Sequence, residues 1–145
     1  MYHDTITIFN RKKGREGDTW YPTILSGVNL NKDKGEVIAR YGPNSSDNAI
    51  LNVRYENDGE DMIIGGKQWM QPKLWQKSET PANYLTFAAG DFFWNGTWDG
   101  GDVLYDGTYG DQTFYDYMLA NYDDVFMVTS VGWFSVIPHL EVVGK

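Results

Sequence analysis

The side chains able to do chemistry in this 145-residue sequence are few and unevenly placed. It has no cysteine, which removes thiolate nucleophiles, thiolate zinc sites and disulfides together and fits folding in a reducing compartment. The two histidines, His3 and His139, have no Ser or second ligand at motif spacing and read as incidental terminal and strand residues. The densest run of oxygen donors is Trp98 to Asp111, where Asp99, Asp102, Asp106 and Asp111 could converge on a calcium ion. Their spacing matches neither the EF-hand loop nor the Gly-rich nonapeptide, and Asp-Gly pairs are ordinary turn material. Acids beside tryptophans also suit sugar recognition, with Trp69, Trp75, Trp94 and Trp98 as the platform, but no spacing there is diagnostic of a glycosidase. Neither G-x-G-x-x-G nor G-x-x-x-x-G-K occurs. These residues point to a binding or assembly domain with no catalytic set, cofactor or metal.

Composition narrows the class. Aromatics make up 16% of the chain, as 6 Trp, 10 Tyr and 7 Phe, which favours pleated half-buried surfaces and interfaces where one edge of a ring stays wet. The net charge of −8 is localised. Residues 1–80 balance 11 Lys/Arg against 11 Asp/Glu, whereas residues 81–145 set one Lys against nine acids. An acidic surface opposes binding driven by phosphate neutralisation. The one basic cluster, Arg11-Lys12-Lys13-Gly14-Arg15, reads as a solvated loop tip. Met1-Tyr2-His3-Asp4 shows no signal-peptide pattern and no apolar run approaches a membrane span, so a cytoplasmic fold is expected.

The elements that must position these residues are mostly strands. Asp4 to Phe9 alternates apolar and polar β-branched residues. A polar loop from Asn10 to Asp18 leads into Thr19 to Leu25, where Pro22 suggests an edge or bulge and Ser26-Gly27 a break, with Val28-Asn29-Leu30 open as a continuation of the strand. Glu36 to Tyr41 and Asn48 to Tyr55 read as strands around a turn at Gly42 to Asp47, and Asn57 to Asp61 as a further polar turn. Met62 to Trp75 reads as loop with short extended pieces, and Asn83 to Phe87 as a strand. Phe92-Phe93-Trp94 is followed by Asn95-Gly96, the strongest hairpin pattern in the chain. One helix is expected, Gln112 to Tyr122, capped by Asp111 and carrying the stripe Phe114, Met118 and Tyr122. Strands from Val125 to Val131 and Ser135 to Val143 close a mainly β fold. The expectation is a single domain, residues 1–145, built as a small β-barrel or sandwich with one short helix and long loops.

Four stretches, taken in order, carry a family likeness: Asp4 to Asn10, Thr19 to Val28, Phe87-Ala88-Ala89-Gly90-Asp91, and His139 to Lys145. Together they resemble small proteins of the structural modules of tailed bacteriophages and prophages of Gram-positive bacteria. These are the head-completion proteins, also called stoppers or head–tail connectors. The resemblance implies a small β-barrel with a long loop, assembled as a homo-oligomeric ring under the portal, with no catalytic residues. Its partners would be further copies of itself, the portal or adaptor, and tail proteins. DNA would pass nearby without specific binding, no membrane would be involved, and the location would be the virion head–tail junction after synthesis in the host cytoplasm. On that reading Trp20, Tyr21, Trp69, Trp75, Trp94 and Trp98 are candidate interface residues, and Asp99, Asp102, Asp106 and Asp111 candidate channel-facing acids. The segment Trp98 to Tyr122 is longer than the simplest connector barrels have, which leaves a tail-completion role open. A glycan- or host-surface-binding β-module of a phage tail is the alternative.

Overall fold

Strand β1 (Asp4–Lys12) sets the architecture, because Ile6, Thr7, Ile8 and Phe9 are all buried although they alternate between its two faces. A strand covered on both sides needs a layer against each. The computed structural model, which describes residues 2–32 and 49–145, supplies both. The expected strand Glu36 to Tyr41 and turn Gly42 to Asp47 lie outside the described residues.

In chain order the elements are β1, β2 (Thr19–Asn31), β3 (Ala49–Arg54), β4 (Glu56–Asp58), β5 (Asp61–Ile64), β6 (Lys67–Trp69), α1 (Pro72–Lys77), β7 (Tyr84–Leu85), β8 (Phe92–Trp94), β9 (Leu104–Tyr105), α2 (Phe114–Asn121), β10 (Val125–Phe134) and β11 (His139–Gly144). Six of them form a closed antiparallel barrel in the order β1-β8-β10-β11-β3-β2, with β2 pairing back onto β1. The short β9 extends the sheet beside Thr19 and Trp20 of β2. A second sheet, β4-β5-β6-β7, turns through Gly59 and Gly65-Gly66. Strand directions alternate around the barrel, so the β1–β2 and β10–β11 turns and the turn entering β8 share one end, the hairpin end.

The barrel interior packs Ile6, Ile8, Leu25, Leu51, Phe93 and Val142 with Ile64, Leu85 and Phe87 from the second sheet and its approach. Gly144 belongs to this packing, since a Cβ there would lie 2.8 Å from the Phe93 ring and from Phe126 Cβ. A second apolar layer lies outside the same wall. Phe9, Trp20 and Phe92 meet Phe114 and Met118 of α2, with Leu104 and Val125. Phe9 and Phe92 stack at 4.7 Å, and Phe114 closes on Phe9 at 5.2 Å. Thus β8 sends Phe93 inward and Phe92 and Trp94 outward.

Several local expectations are corrected. Thr113, not Asp111, caps α2: its hydroxyl accepts from Asp116 N while the Asp116 carboxylate accepts from Thr113 N. Asn95-Gly96 is no hairpin turn, because β8 is already flanked by β1 and β10. There the Trp94 ring folds over Gly96, where a Cβ would lie 2.4 Å from the indole, and Trp98 covers Gly100 in the same way. Ser26-Gly27 bulges β2 without ending it, and the register slips by one residue opposite Asp4 and Thr5. Pro22 sits between the stretches of β2 that pair with β9 and β3, where among the described residues no second strand needs its missing N–H. A second helix, α1, falls where loop was expected, and of the expected strand Asn83 to Phe87 only Tyr84–Leu85 is strand (β7), entered from a 3-10 turn at Pro81–Asn83.

Asp106 fastens the outer layer to the barrel. Its buried carboxylate accepts from Trp20 Nε1 at 2.7 Å, Phe114 N at 2.9 Å and Asp18 N at 3.1 Å, and its own N–H donates to Asp18 O. One side chain thereby joins the β1–β2 turn, β2 and the start of α2. Removing it orphans two buried donors, so Asp106→Ala should cost about 2–4 kcal/mol. Urea unfolding followed by tryptophan fluorescence measures this, and an unchanged midpoint would refute the fastening role.

Candidate functional site

Burial sorts the sequence-derived candidates. Trp20 and Trp75 are fully enclosed by the chain itself. The Trp20 indole donates to Asp106, and the Trp75 indole donates to Pro81 O at 3.1 Å. Neither ring can therefore lie on a subunit surface, which corrects both expectations. Tyr21 is half-buried, edge-on to Trp75 at 5.8 Å. Trp94 and Trp98 are half-buried against each other at 6.4 Å and cover the outer layer. Asp106 is inside, so it cannot face a channel, whereas Asp99, Asp102 and Asp111 are exposed. The four acids do not converge, and among the described residues no group of three His, Cys, Asp or Glu side chains could hold a metal ion. A groove of about 280 Å³ between Ile24, Lys67, Trp98 and Asp102 offers one tryptophan edge. Burial lowers the Lys67 pKa, partly offset by the charge of Asp102.

The most conspicuous surface was not among those candidates. At the β10–β11 turn Trp133, Phe134, Val136 and Ile137 are 45%, 46%, 97% and 67% exposed. The turn is braced from behind. Phe87 stacks on Trp69 at 5.9 Å, Trp69 meets Trp133 edge-on at 4.9 Å, and Trp133 meets Tyr55 at 5.6 Å. The Tyr55 hydroxyl donates to Phe134 O at 3.3 Å, and Phe134 stacks on His139 at 4.8 Å. A series of rings thus runs from the barrel core to a projecting apolar tip. Val131 reads in the sequence as the end of one strand and Ser135 to Pro138 as the start of the next, whereas the structure carries β10 on to Phe134 and makes Ser135 to Pro138 the turn.

A second feature lies at the same end. Helix α1 is held against β1 by Gln76, whose Nε2 donates to Arg11 O at 2.6 Å while its Oε1 accepts from Lys13 N at 3.0 Å. Lys12 Nζ donates to Gln76 O and Ser78 O, and its cationic head lies 5.9 Å from the Trp75 ring centre. This docking leaves a depression of about 130 Å³ lined by Arg11, Lys13, Lys73, Gln76, Ala88, Ala89 and Asp91. Asp91 is buried, and its carboxylate accepts from Arg11 N at 2.8 Å, Ala88 N at 2.9 Å and Asn10 Nδ2 at 3.0 Å. Burial raises its pKa to about 6, against the opposing pull of these donors and of the Arg11 charge.

The model of a family of unknown function, DUF6751, matches residues 1–145. No curated protein matches the chain. No solved structure matches it either. Among the described residues no helix is long and apolar enough to cross a membrane.

Asp91 makes stability depend on pH. With its folded pKa raised from 3.8 to about 6, the neutral form is favoured in the folded state. The stabilisation is complete below the unfolded value and disappears as pH rises through about 6. The stability of the native chain relative to Asp91→Asn should therefore fall by about 3 kcal/mol between pH 3.5 and 7. Denaturant titrations of both proteins across that range test this, and parallel curves would exclude it.

Proposed function

The chain belongs to this family of unknown function, and we propose that it is a structural assembly subunit of a tailed-phage virion, a head-completion or stopper protein that forms a ring at the head–tail junction. The observation that carries this reading is the braced apolar tip. A large exposed apolar group on a rigid projection is the anchor type that interfaces bury, worth about 1.5–3 kcal/mol per fully covered side chain. The mainly β closed barrel is the fold that the resemblance implied. In this reading the tip seats against a neighbouring copy, and the acid-rich outer layer around Asp99, Asp102 and Asp111 keeps passing DNA from adhering.

The glycan-binding alternative draws less support. A sugar-binding face leaves a row of rings open in a groove. Trp20 and Trp75 are enclosed, Trp69, Trp94 and Trp98 are packed edge-on against other rings, and the exposed aromatics stand on a convex tip.

The test is mass in solution by light scattering, alone and after mixing with DNA-filled, portal-bearing heads from a phage that encodes this chain and has had its gene deleted. The native protein should join the heads as a discrete ring. The double variant Val136→Asp and Ile137→Asp should fold with an unchanged Tm, since both positions are exposed, and lose at least about 100-fold in binding. A native protein that ignores heads but binds host cell-wall glycan would overturn the assignment.

A further inference from the structure

The sequence sets Arg11-Lys12-Lys13-Gly14-Arg15 apart as a loop tip, but the fold gives only part of it to solvent. Lys12 is used up in holding α1. Arg11 lines the floor of the depression, its guanidinium lying along Gly90, where a Cβ would be 3.3 Å from Cζ and 3.4 Å from Nη1. Gly90 has φ +101°, a conformation that leaves the backbone bare at this point. The Arg11 Nε faces Asp18 Oδ2 at 3.5 Å, while Nη1 and Nη2 have no hydrogen-bond acceptor among the described residues. Lys13 and Lys73, from the hairpin and from α1, line the same depression, and neither forms an ion pair among the described residues.

Two carboxylates stand nearby, both held by N–H donors and both drawing on part of the Arg11 charge. Asp91 accepts three N–H donors, and Asp18 accepts from Gly14 N and faces Arg11 Nε. What remains open is a planar two-nitrogen fork, with Lys13 and Lys73 lining the same depression. That set of donors matches a tetrahedral oxyanion, with two oxygens on the fork and the remaining charge met by the lysines.

We propose that the depression between the β1–β2 hairpin, α1 and the Ala88–Asp91 turn is a phosphate-binding site, in which Arg11 takes the phosphate through its free fork and Lys13 and Lys73 complete the charge. The inference stands on Arg11, α1 and Gly90 and does not depend on the virion assignment or on the apolar tip. The ligand chemistry is a phosphate group, carried either on a polynucleotide backbone or as the free ion.

The experiment is a titration of the full chain, in phosphate-free buffer at constant ionic strength, with sodium phosphate and separately with a 20-base-pair DNA duplex, read by amide and Arg Nε–Hε resonances. Phosphate should shift Arg11, Ala89 and Gly90, and chloride at equal ionic strength should not. Lys13→Ala and Lys73→Ala, both at exposed positions, should each weaken binding about tenfold, the scale of one charge-assisted contact. If the duplex shifts the same residues at lower concentration and with a steep salt dependence, the source is a polynucleotide backbone. If only phosphate does so, the source is the free ion. Should neither probe move those resonances, or should the double lysine variant bind both as the native chain does, the site is overturned.

Discussion

The wall shared by β1 and β8 is apolar on both faces, and that constraint organises the rest of the chain. Ile6, Ile8 and Phe93 on one side demand a closed barrel, while Phe9, Phe92 and Trp94 on the other demand a cover. A six-stranded barrel meets the first demand with its own strands together with Ile64, Leu85 and Phe87 from the second sheet and its approach. The second has to be met by chain from outside the barrel, and the segment from Trp98 to Tyr122 meets it. That explains why this segment is long, why it carries so many rings, and why its turns are made of Gly beside Asp. Rings such as Trp94 and Trp98 fold back over glycines two residues further on, a packing that any side chain there would block. The same segment carries much of the acid excess, because its outer face is solvent once its inner face is committed to Phe9, Trp20 and Phe92.

Asp106 shows how a composition can be read correctly for a turn and wrongly for a role. In the sequence it is one of several Asp residues beside Gly. In the structure it satisfies an indole N–H 86 residues earlier in the chain, together with a helix N–H. Burial strips water from its carboxylate, and three N–H donors take the place of that water. Nothing in local pattern distinguishes it from Asp99, Asp102 or Asp111, whose side chains stay in solvent.

The legible part of the fold was the part governed by period-2 alternation. Residues Asp4 to Phe9, the stretch from Ala49, and the two closing strands all announce themselves, because one or both faces are apolar at strand spacing. The helix α2 was visible through Phe114 and Met118, although its cap was placed two residues early: an Asp and a Thr are both good caps, and only the reciprocal bond to Asp116 selects Thr113. The six-residue α1 is too short for a helical period to show. The candidate surfaces were less legible for a related reason. Aromatic residues signal interfaces and cores alike, and the difference between Trp20 and Trp133 is whether a layer arrives to cover the ring. Composition carries no information on that. The depression around Arg11 depends on α1 docking through Gln76, a contact 65 residues distant in sequence.

The placement of charge and apolar surface then follows from topology. The acid-rich segment leaves the barrel at the end opposite the hairpins and returns there through α2 to enter β10, so the wall carries much of the negative charge. The hairpin end carries Arg11, Lys13 and Arg15 beside Glu16 and Asp18 on one turn and Trp133 to Ile137 on the other. A chain of net charge −8 repels its own copies at long range, yet its exposed apolar surface needs contact to be covered. In the proposed ring both hold if contact is made through the hairpin end while the walls stay apart, so that repulsion would restrict which faces meet. In the proposed assembly the aromatic series from Phe87 through Trp69 to Trp133 would serve the same contact, because an anchor that is already held in place loses little conformational entropy when it is buried.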